Sequence, residues 1–284
     1  LTTLKATIGD AYVLTDYASC IFYAQDVSKR DIPAVAVAQP ANAEELSAVV
    51  RTVTAAGHAI IARGGGMSYT AGFVPTSPDS VIVDTQRMNQ VLEVNTVDMY
   101  VTVQAGCSWK DLAKALEGTG CRTPFWGTLS GIHATVGGSV SQNSIFWGSG
   151  RYGTAAESVL SMDIVLADGS LITTGAAAAE NVAPFFRHYG PDLTGLFTSD
   201  TGALGLKANV TLRLVPVCEH RDGVAFDFEA PDQLIAAMSE ISRRGLADEC
   251  FAFDPRLQSV RLQRESLASD LRKFTGVLKS AGSL

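Results

Sequence analysis

Two periods of apolar residues alternate along this chain, and the changes between them mark its elements. Residues 32–40 form an apolar β-type run bounded by prolines. Asn42 with Glu45 three residues on is a helix-start signature. Leu46, Val49, Val50 and Val53 follow at helical spacing, and Gly57 supplies the stop. Residues 58–63 return to the strand period. The stretch 32–63 therefore reads as a β-α-β unit that runs directly into a glycine loop. Further strands are expected at 80–84, 100–104, 158–166 and 204–214. Asp168-Gly169 is a hairpin signal before 171–174. Ser108 and Asp111 repeat the capping spacing and open a helix that stops at Gly118. Residues 224–228, 231–245 and 249–253 predict a second β-α-β unit, and the last thirty residues read as helical. The first thirty or so read as a short helix and an arm. No internal repeat is visible.

Composition narrows the classes. Of 284 residues, 46% are hydrophobic and 18% charged, which suits one large or two smaller packed domains and excludes a disordered chain. No apolar stretch reaches the length of a spanning helix. Asp and Glu outnumber Lys and Arg, 29 to 22, and a net charge of −7 argues against gripping a nucleic-acid backbone. The five cysteines make no CxxC pair and the four histidines stand at no metal-ligand spacing, so no metal site is expected. No signal peptide is recognisable, which predicts a cytoplasmic protein. The chain opens on Leu1 rather than Met, so its true start is expected to be missing or processed.

The chemistry concentrates in two glycine-rich regions. Arg63-Gly64-Gly65-Gly66-Met67-Ser68-Tyr69 follows a strand directly. Consecutive glycines can turn several backbone N–H groups toward one point and so hold a phosphate or pyrophosphate. Asp84 lies about twenty residues on, as in a nicotinamide dinucleotide fingerprint. That motif needs a helix behind the loop, whereas Gly72, Pro75, Ser77 and Pro78 follow here, so the nicotinamide reading is rejected. No GK[ST] follows either, which removes the P-loop. The second region, 126–153, carries Arg151 but no Asp, Glu or Lys, and is rich in Gly, Ser, Thr and Asn. It suits backbone laid against a large, partly polar ligand, because burying charge there would be costly.

These features, in order, resemble a known family. Arg63-Gly64-Gly65-Gly66 with Ser68, Thr135-Val136-Gly137-Gly138, Tyr152-Gly153 and Thr201-Gly202-Ala203-Leu204-Gly205 look like the p-cresol methylhydroxylase (PCMH) and vanillyl-alcohol oxidase family of FAD-linked oxidases, including its glycolate oxidase subunit and D-lactate dehydrogenase branch. The resemblance covers about 30–215. It implies an α+β fold: a two-subdomain FAD-binding domain of the PCMH type over 1–215, then the start of an α/β cap domain over 219–284. It implies that Gly64, Gly65, Gly66, Met67, Ser68 and Tyr69 hold the FAD pyrophosphate. Thr128, Thr135, Gly138, Gln142, Asn143, Ser144 and Ile145 would line pyrophosphate, ribityl chain and flavin. Leu206 and Lys207 would contact flavin or adenine through backbone groups, and Tyr152 would stand near the flavin.

Some relatives bond the flavin covalently through a histidine at the position of Met67, and some carry a cysteine at that of His133. A methionine thioether cannot form that link, so noncovalent FAD is expected. His133 is expected to be a buried, hydrogen-bonded residue, with flavin neighbour or proton donor as the alternative. The relatives continue well beyond the FAD domain, so the chain looks truncated. Their catalytic base lies mostly in the part not matched, which leaves Arg187 and His188 as candidates only by elimination. The implied reaction is oxidation of an alcohol or 2-hydroxy acid by hydride transfer to flavin N5. Oxygen, a quinone or another protein would then accept the electrons, and a homo-oligomer is allowed. Three alternatives stand beside it: a UDP-N-acetylenolpyruvoylglucosamine reductase, an FAD-carrying electron-transfer subunit, and a non-catalytic flavin-binding remnant.

Overall fold

The structure, a computed structural model, describes residues 1–29 and 32–262. Its strands are β1 (Val13–Leu14), β2 (Ala36–Ala38), β3 (Ala59–Arg63), β4 (Ser80–Asp84), β5 (Val91–Asn95), β6 (Tyr100–Gln104), β7 (Cys121–Arg122), β8 (Val159–Val165), β9 (Leu171–Thr173), β10 (Leu206–Arg213) and β11 (Val215–Pro216). Its helices are α1 (Thr2–Ile8), α2 (Tyr17–Tyr23), α3 (Ala43–Ala55), α4 (Trp109–Leu116), α5 (Val136–Ser141), α6 (Ser149–Tyr152), α7 (Leu193–Leu196), α8 (Pro231–Arg244) and α9 (Pro255–Leu262).

A four-stranded sheet has the order β1-β2-β4-β3, and β2, β4 and β3 run parallel. The expected β-α-β unit is present, with β4 inserted between its two strands. β4 is central and every one of its residues is buried, as a parallel strand covered on both faces requires. A second, five-stranded sheet is antiparallel throughout, in the order β5-β6-β10-β8-β9. The mixture of helix and sheet is that of the expected α+β class.

Local signals explain the two helices that build the core. At α3, Asn42 Oδ1 accepts the Glu45 N–H at 2.9 Å and Glu45 Oε2 accepts the Ala41 N–H at 2.9 Å. Leu46, Val49, Val50 and Val53 are buried against α1, β2, β4 and the Val165 and Leu206 ends of β8 and β10. Each such side chain contributes about 1.5–3 kcal/mol of transfer free energy before entropy is counted. At α4, Ser108 Oγ accepts the Asp111 N–H at 3.1 Å. Trp109, Leu112 and Leu116 pack with α5 onto Val101, Val103, Met162 and Val210 of the second sheet. α3 thus joins the two sheets, and α4 with α5 covers the second.

The segment after Pro216 departs from expectation. Residues 224–228 and 249–253 form no strands, and Val224 and Phe226 are exposed. A strand needs a neighbour to pair with, and neither segment is hydrogen-bonded into a sheet of the described residues. The helix between them does form, opened by Pro231 and closed by Gly245 at φ +60°. Val217 N–H donates to the Gly120 carbonyl at 2.8 Å, and Asp248 reaches Arg122 at 2.5 Å. One compact unit runs from Leu1 to Glu249, and a second begins at Cys250. Of the last thirty residues, expected to be helical, α9 covers Pro255–Leu262, and residues 263–284 lie outside the described residues.

Candidate cofactor site

β3 delivers the glycine loop to the mouth of a cavity of about 610 Å³. Its other walls are the 128–146 region around α5 and the turn that leads into β10. Every site residue expected from sequence lines it except Tyr152: Gly64 through Tyr69, Thr128, Thr135, Gly138, Gln142 through Ile145, Leu206 and Lys207.

The glycines are required by close approach. A Cβ on Gly65 would fall on the His133 carbonyl oxygen, and one on Gly64 would fall on Thr135 Oγ1. Only Gly66 of the three has a positive φ, +69°, and it folds the loop over the Arg63 guanidinium. On the facing wall Thr135 Oγ1 accepts the Gly138 N–H at 3.2 Å as the cap of α5. Gly137 lies so close to Ala105 that a Cβ would stand 2.6 Å from its methyl. Ser68 Oγ and Thr70 Oγ1 are 2.9 Å apart, and Thr70 Oγ1 donates to Gln142 Oε1 at 3.1 Å, which ties loop to wall. Asn143, at φ +46°, accepts the Ala156 N–H through Oδ1 at 3.2 Å. Tyr69 and Ile145 are exposed at the rim.

The lining holds two charged side chains, Arg63 and Lys207, and no carboxylate among the described residues. Each cation is backed by a buried acid. Lys207 Nζ bonds Asp200 Oδ1, and both side chains are almost fully buried. Burial holds the lysine below its ordinary pKa, and Asp200 opposes that shift. Arg63 is the register partner of Asp84 across β3 and β4. Its guanidinium lies 4.7 Å from the Tyr23 ring and 5.4 Å from that of Phe73. Burial lowers the Arg63 pKa and raises that of Asp84, each offset by the other. Arg63 Nε is buried without an acceptor among the described residues.

Several expectations change. Tyr152 does not reach the cavity. α6 places its ring among the guanidinium groups of Arg122, Arg151 and Arg213, at 5.5, 5.4 and 5.9 Å. His133 is exposed rather than buried, and what matters about it is the carbonyl against Gly65. Arg187 is held by Asp192 and the Ala156 carbonyl, His188 is exposed, and neither lines the cavity. Sequence reasoning left out Arg63, Phe73 and Thr201, which do line it. Arg63 was visible as the last strand residue before the glycines. Thr201 heads the Thr201-Gly202-Ala203-Leu204-Gly205 motif without a role assigned to it there, and Phe73 carries no local signal.

A carboxylate-free cavity walled by close-packed glycine backbone, with hydroxyls, amides and two backed cations, suits an extended ligand with an anionic diphosphate. That makes the cavity the candidate for a dinucleotide-type cofactor. The profile of the family described as "FAD binding domain" matches residues 34–175, and the chain belongs to that family. An uncharacterised FAD-linked oxidoreductase of Mycobacterium tuberculosis is 33% identical over 87% of this chain and 52% of its own length. Glycolate oxidase subunit GlcD of Bacillus subtilis is 31% identical over 72% of this chain and 42% of its own. The cytochrome-linked mitochondrial D-lactate dehydrogenase 1 of Saccharomyces cerevisiae is 31% identical over 66% and 31%. Substrate-bound p-cresol methylhydroxylase superposes with a TM-score of 0.67 at 19% identity, over 76% of this chain and 42% of that one, a likeness of fold. The chain spans about half the length, or less, of the curated relatives it matches. The cofactor of this domain is FAD. Among the described residues no helix is long and apolar enough to cross a membrane.

Proposed function

We propose that this chain is the FAD-binding part of an oxidoreductase acting on a CH–OH donor, with 2-hydroxy acids as the substrate class. The observation that carries the reading is the carboxylate-free cavity between the 64–69 loop and α5. Its support is the set of relatives named for oxidation of glycolate, D-lactate and D-2-hydroxyglutarate.

In this reading backbone N–H groups of residues 64–69 hold the diphosphate, with Arg63 behind them. Thr128, Thr135, Gly138 and residues 142–145 bound the remainder of the cofactor, and Leu206 with Lys207 closes the far wall. Bound FAD supplies the two-electron acceptor at N5. The chain's part is to hold the cofactor rigidly and keep acidic side chains away from it. Met67 is partly buried and packed against the core of the second sheet. A thioether offers no bond to the ring, so the cofactor is held noncovalently. Residues 219–284 begin the cap that covers the substrate.

The test is anaerobic bleaching of the purified FAD-loaded protein by a panel of 2-hydroxy acids, sugars, phenols and reduced nicotinamide. Loss of the visible flavin band with a 2-hydroxy acid alone is the expected result. Bleaching by the nicotinamide alone, or by nothing in the panel, overturns the substrate class.

A further inference from the structure

The N-terminal arm lies ahead of the residues matched by the family profile, 34–175, yet it is bonded into the glycine loop. Asp26 is the centre of that junction. Its Oδ1 accepts the Ser28 and Lys29 N–H groups at 2.8 and 2.7 Å, which folds 26–29 into a tight turn. The backbone closes the same turn, with Asp26 N–H donating to the Lys29 carbonyl at 2.9 Å. Asp26 Oδ2 reaches across the chain and accepts the Ala71 N–H at 2.7 Å. The turn also presents two donors to the loop. Val27 N–H donates to the Ser68 carbonyl at 3.0 Å. Ser28 Oγ is placed to donate to the Tyr69 carbonyl at 3.0 Å, with Asp26 Oδ1 at 3.1 Å as its other acceptor. Burial raises the Asp26 pKa, but the Ala71, Ser28 and Lys29 N–H groups outweigh that and hold it below the ordinary carboxylate value.

These bonds act on the part of the loop that faces the cofactor cavity. Ser68, Tyr69, Thr70, Gly72 and Phe73 line it, and so does Val27 of the arm. Ala71 stands at φ +59°, a left-handed backbone that a residue with a side chain keeps only where its surroundings hold it. The carboxylate on its N–H supplies that hold. In a trans peptide the carbonyl of one residue and the N–H of the next point in opposite directions. Fixing the Ser68 and Tyr69 carbonyls on the arm therefore fixes the direction of the Tyr69 and Thr70 N–H groups. We propose that Asp26 is a positioning residue of the cofactor site: it sets the loop that holds the diphosphate, which makes the N-terminal arm part of that site. The inference rests on the reading that residues 64–69 hold the FAD diphosphate.

Asp26→Asn keeps the shape and gives up one acceptor. Its single carbonyl oxygen can serve the turn or Ala71 but not both, and its amide then faces a donor. Titrating the full chain, stripped of flavin, with FAD should show about tenfold weaker binding, as loss of a charged hydrogen bond predicts. Ser28→Ala, at an exposed position, removes the hydroxyl at Tyr69 and should weaken FAD about threefold. Asp168→Asn is the control. Asp168 Oδ1 accepts the Ser170 N–H at 2.8 Å in a turn of the same kind, and it does not line the cavity. Its loss can move the melt of the apoprotein but should leave the Kd for FAD within about twofold. An Asp26→Asn variant that behaves in the same way, with a shifted melt and an unchanged Kd, overturns the proposal. Should Asp26→Asn fail to fold, Ser28→Ala decides, and wild-type affinity in that variant overturns it too. Gly65→Ala separates this inference from the reading beneath it. If Gly65→Ala weakens FAD and Asp26→Asn does not, the role of the arm falls and the site stands. If neither weakens FAD, the loop does not hold the diphosphate and both fall.

Discussion

Gly65→Ala tests the central geometry of the cofactor site with a single methyl group. Gly65 has no positive φ, so alanine meets no backbone strain there. The obstacle is space. The new Cβ would overlap the His133 carbonyl oxygen, where ordinary contact needs at least 3.4 Å. The loop and the 133–135 segment would have to part by more than an ångström, and that segment carries the cap of α5. Overpacking of this kind costs about 1–3 kcal/mol. Expressed wholly in cofactor binding, that is about 5- to 150-fold in Kd. Expressed in stability, it lowers Tm by about 2–4 °C per kcal/mol for a unit of this size. The assay is titration of the apoprotein with FAD by quenching of flavin fluorescence, with a melt in parallel. Gly223→Ala is the control, since no atom lies within 4 Å of its added Cβ and its φ is not positive. If Gly65→Ala binds FAD within twofold of wild type and melts within a degree of it, the close-approach argument is wrong.

Precipitating the yellow protein in acid should release all flavin to the supernatant. A flavin-bearing peptide in the pellet would exclude noncovalent binding. Glu249 is raised to about 7 by burial, with Asp248 adding to the shift and Arg122 opposing it. Its contribution to stability is then complete below the ordinary value of 4.5 and is lost as pH rises through about 7. Glu249→Gln should therefore flatten the fall in Tm between about pH 5 and 8. The effect is about 1 kcal/mol, because solvent screens a half-buried group. An unchanged slope would dismiss the assignment. Lys207→Met strands Asp200 in the interior and should cost about 3–5 kcal/mol, most of it recovered by adding Asp200→Asn. A single variant as stable as wild type would show the pair to be unimportant.

How much of this was readable before any coordinates depends on how local each cause is. α3 and α4 were legible because a capping pair and a buried stripe lie within a few residues. The hairpin β8–β9 was legible from Asp168-Gly169. The glycine-rich parts of the cavity wall, residues 64–66 and 137–138, were legible because runs of residues without a side chain leave a mark in the sequence. β5 was not, since its burial pattern does not alternate and its pairing with β6 is fixed by Asn95 accepting the Val97 and Asp98 N–H groups in the turn. The expected strands at 224–228 and 249–253 had the right composition and no partner. Tyr152 and His133 were placed from motif order alone, and motif order carries no information about which way a side chain faces.

The balance of charge in the cofactor cavity leads to a last prediction. A diphosphate is commonly gripped by free lysines and arginines, and such binding weakens steeply with salt because exposed charges are screened over about 10 Å at 0.1 M. Here both cations in the lining have a buried acid behind them, Asp200 for Lys207 and Asp84 for Arg63. They bring little net charge to the ligand. With the diphosphate at the 64–69 loop, as proposed, affinity would rest on that loop's backbone N–H groups, which sit where Gly64 and Gly65 approach Thr135 and His133. Fixed short-range dipoles and buried pairs are screened far less than surface charge. The Kd for FAD should therefore change by less than about threefold between about 50 and 500 mM NaCl. A loss of tenfold or more over that range would mean that free basic side chains hold the diphosphate, and the backbone account of the glycine loop would fall with it.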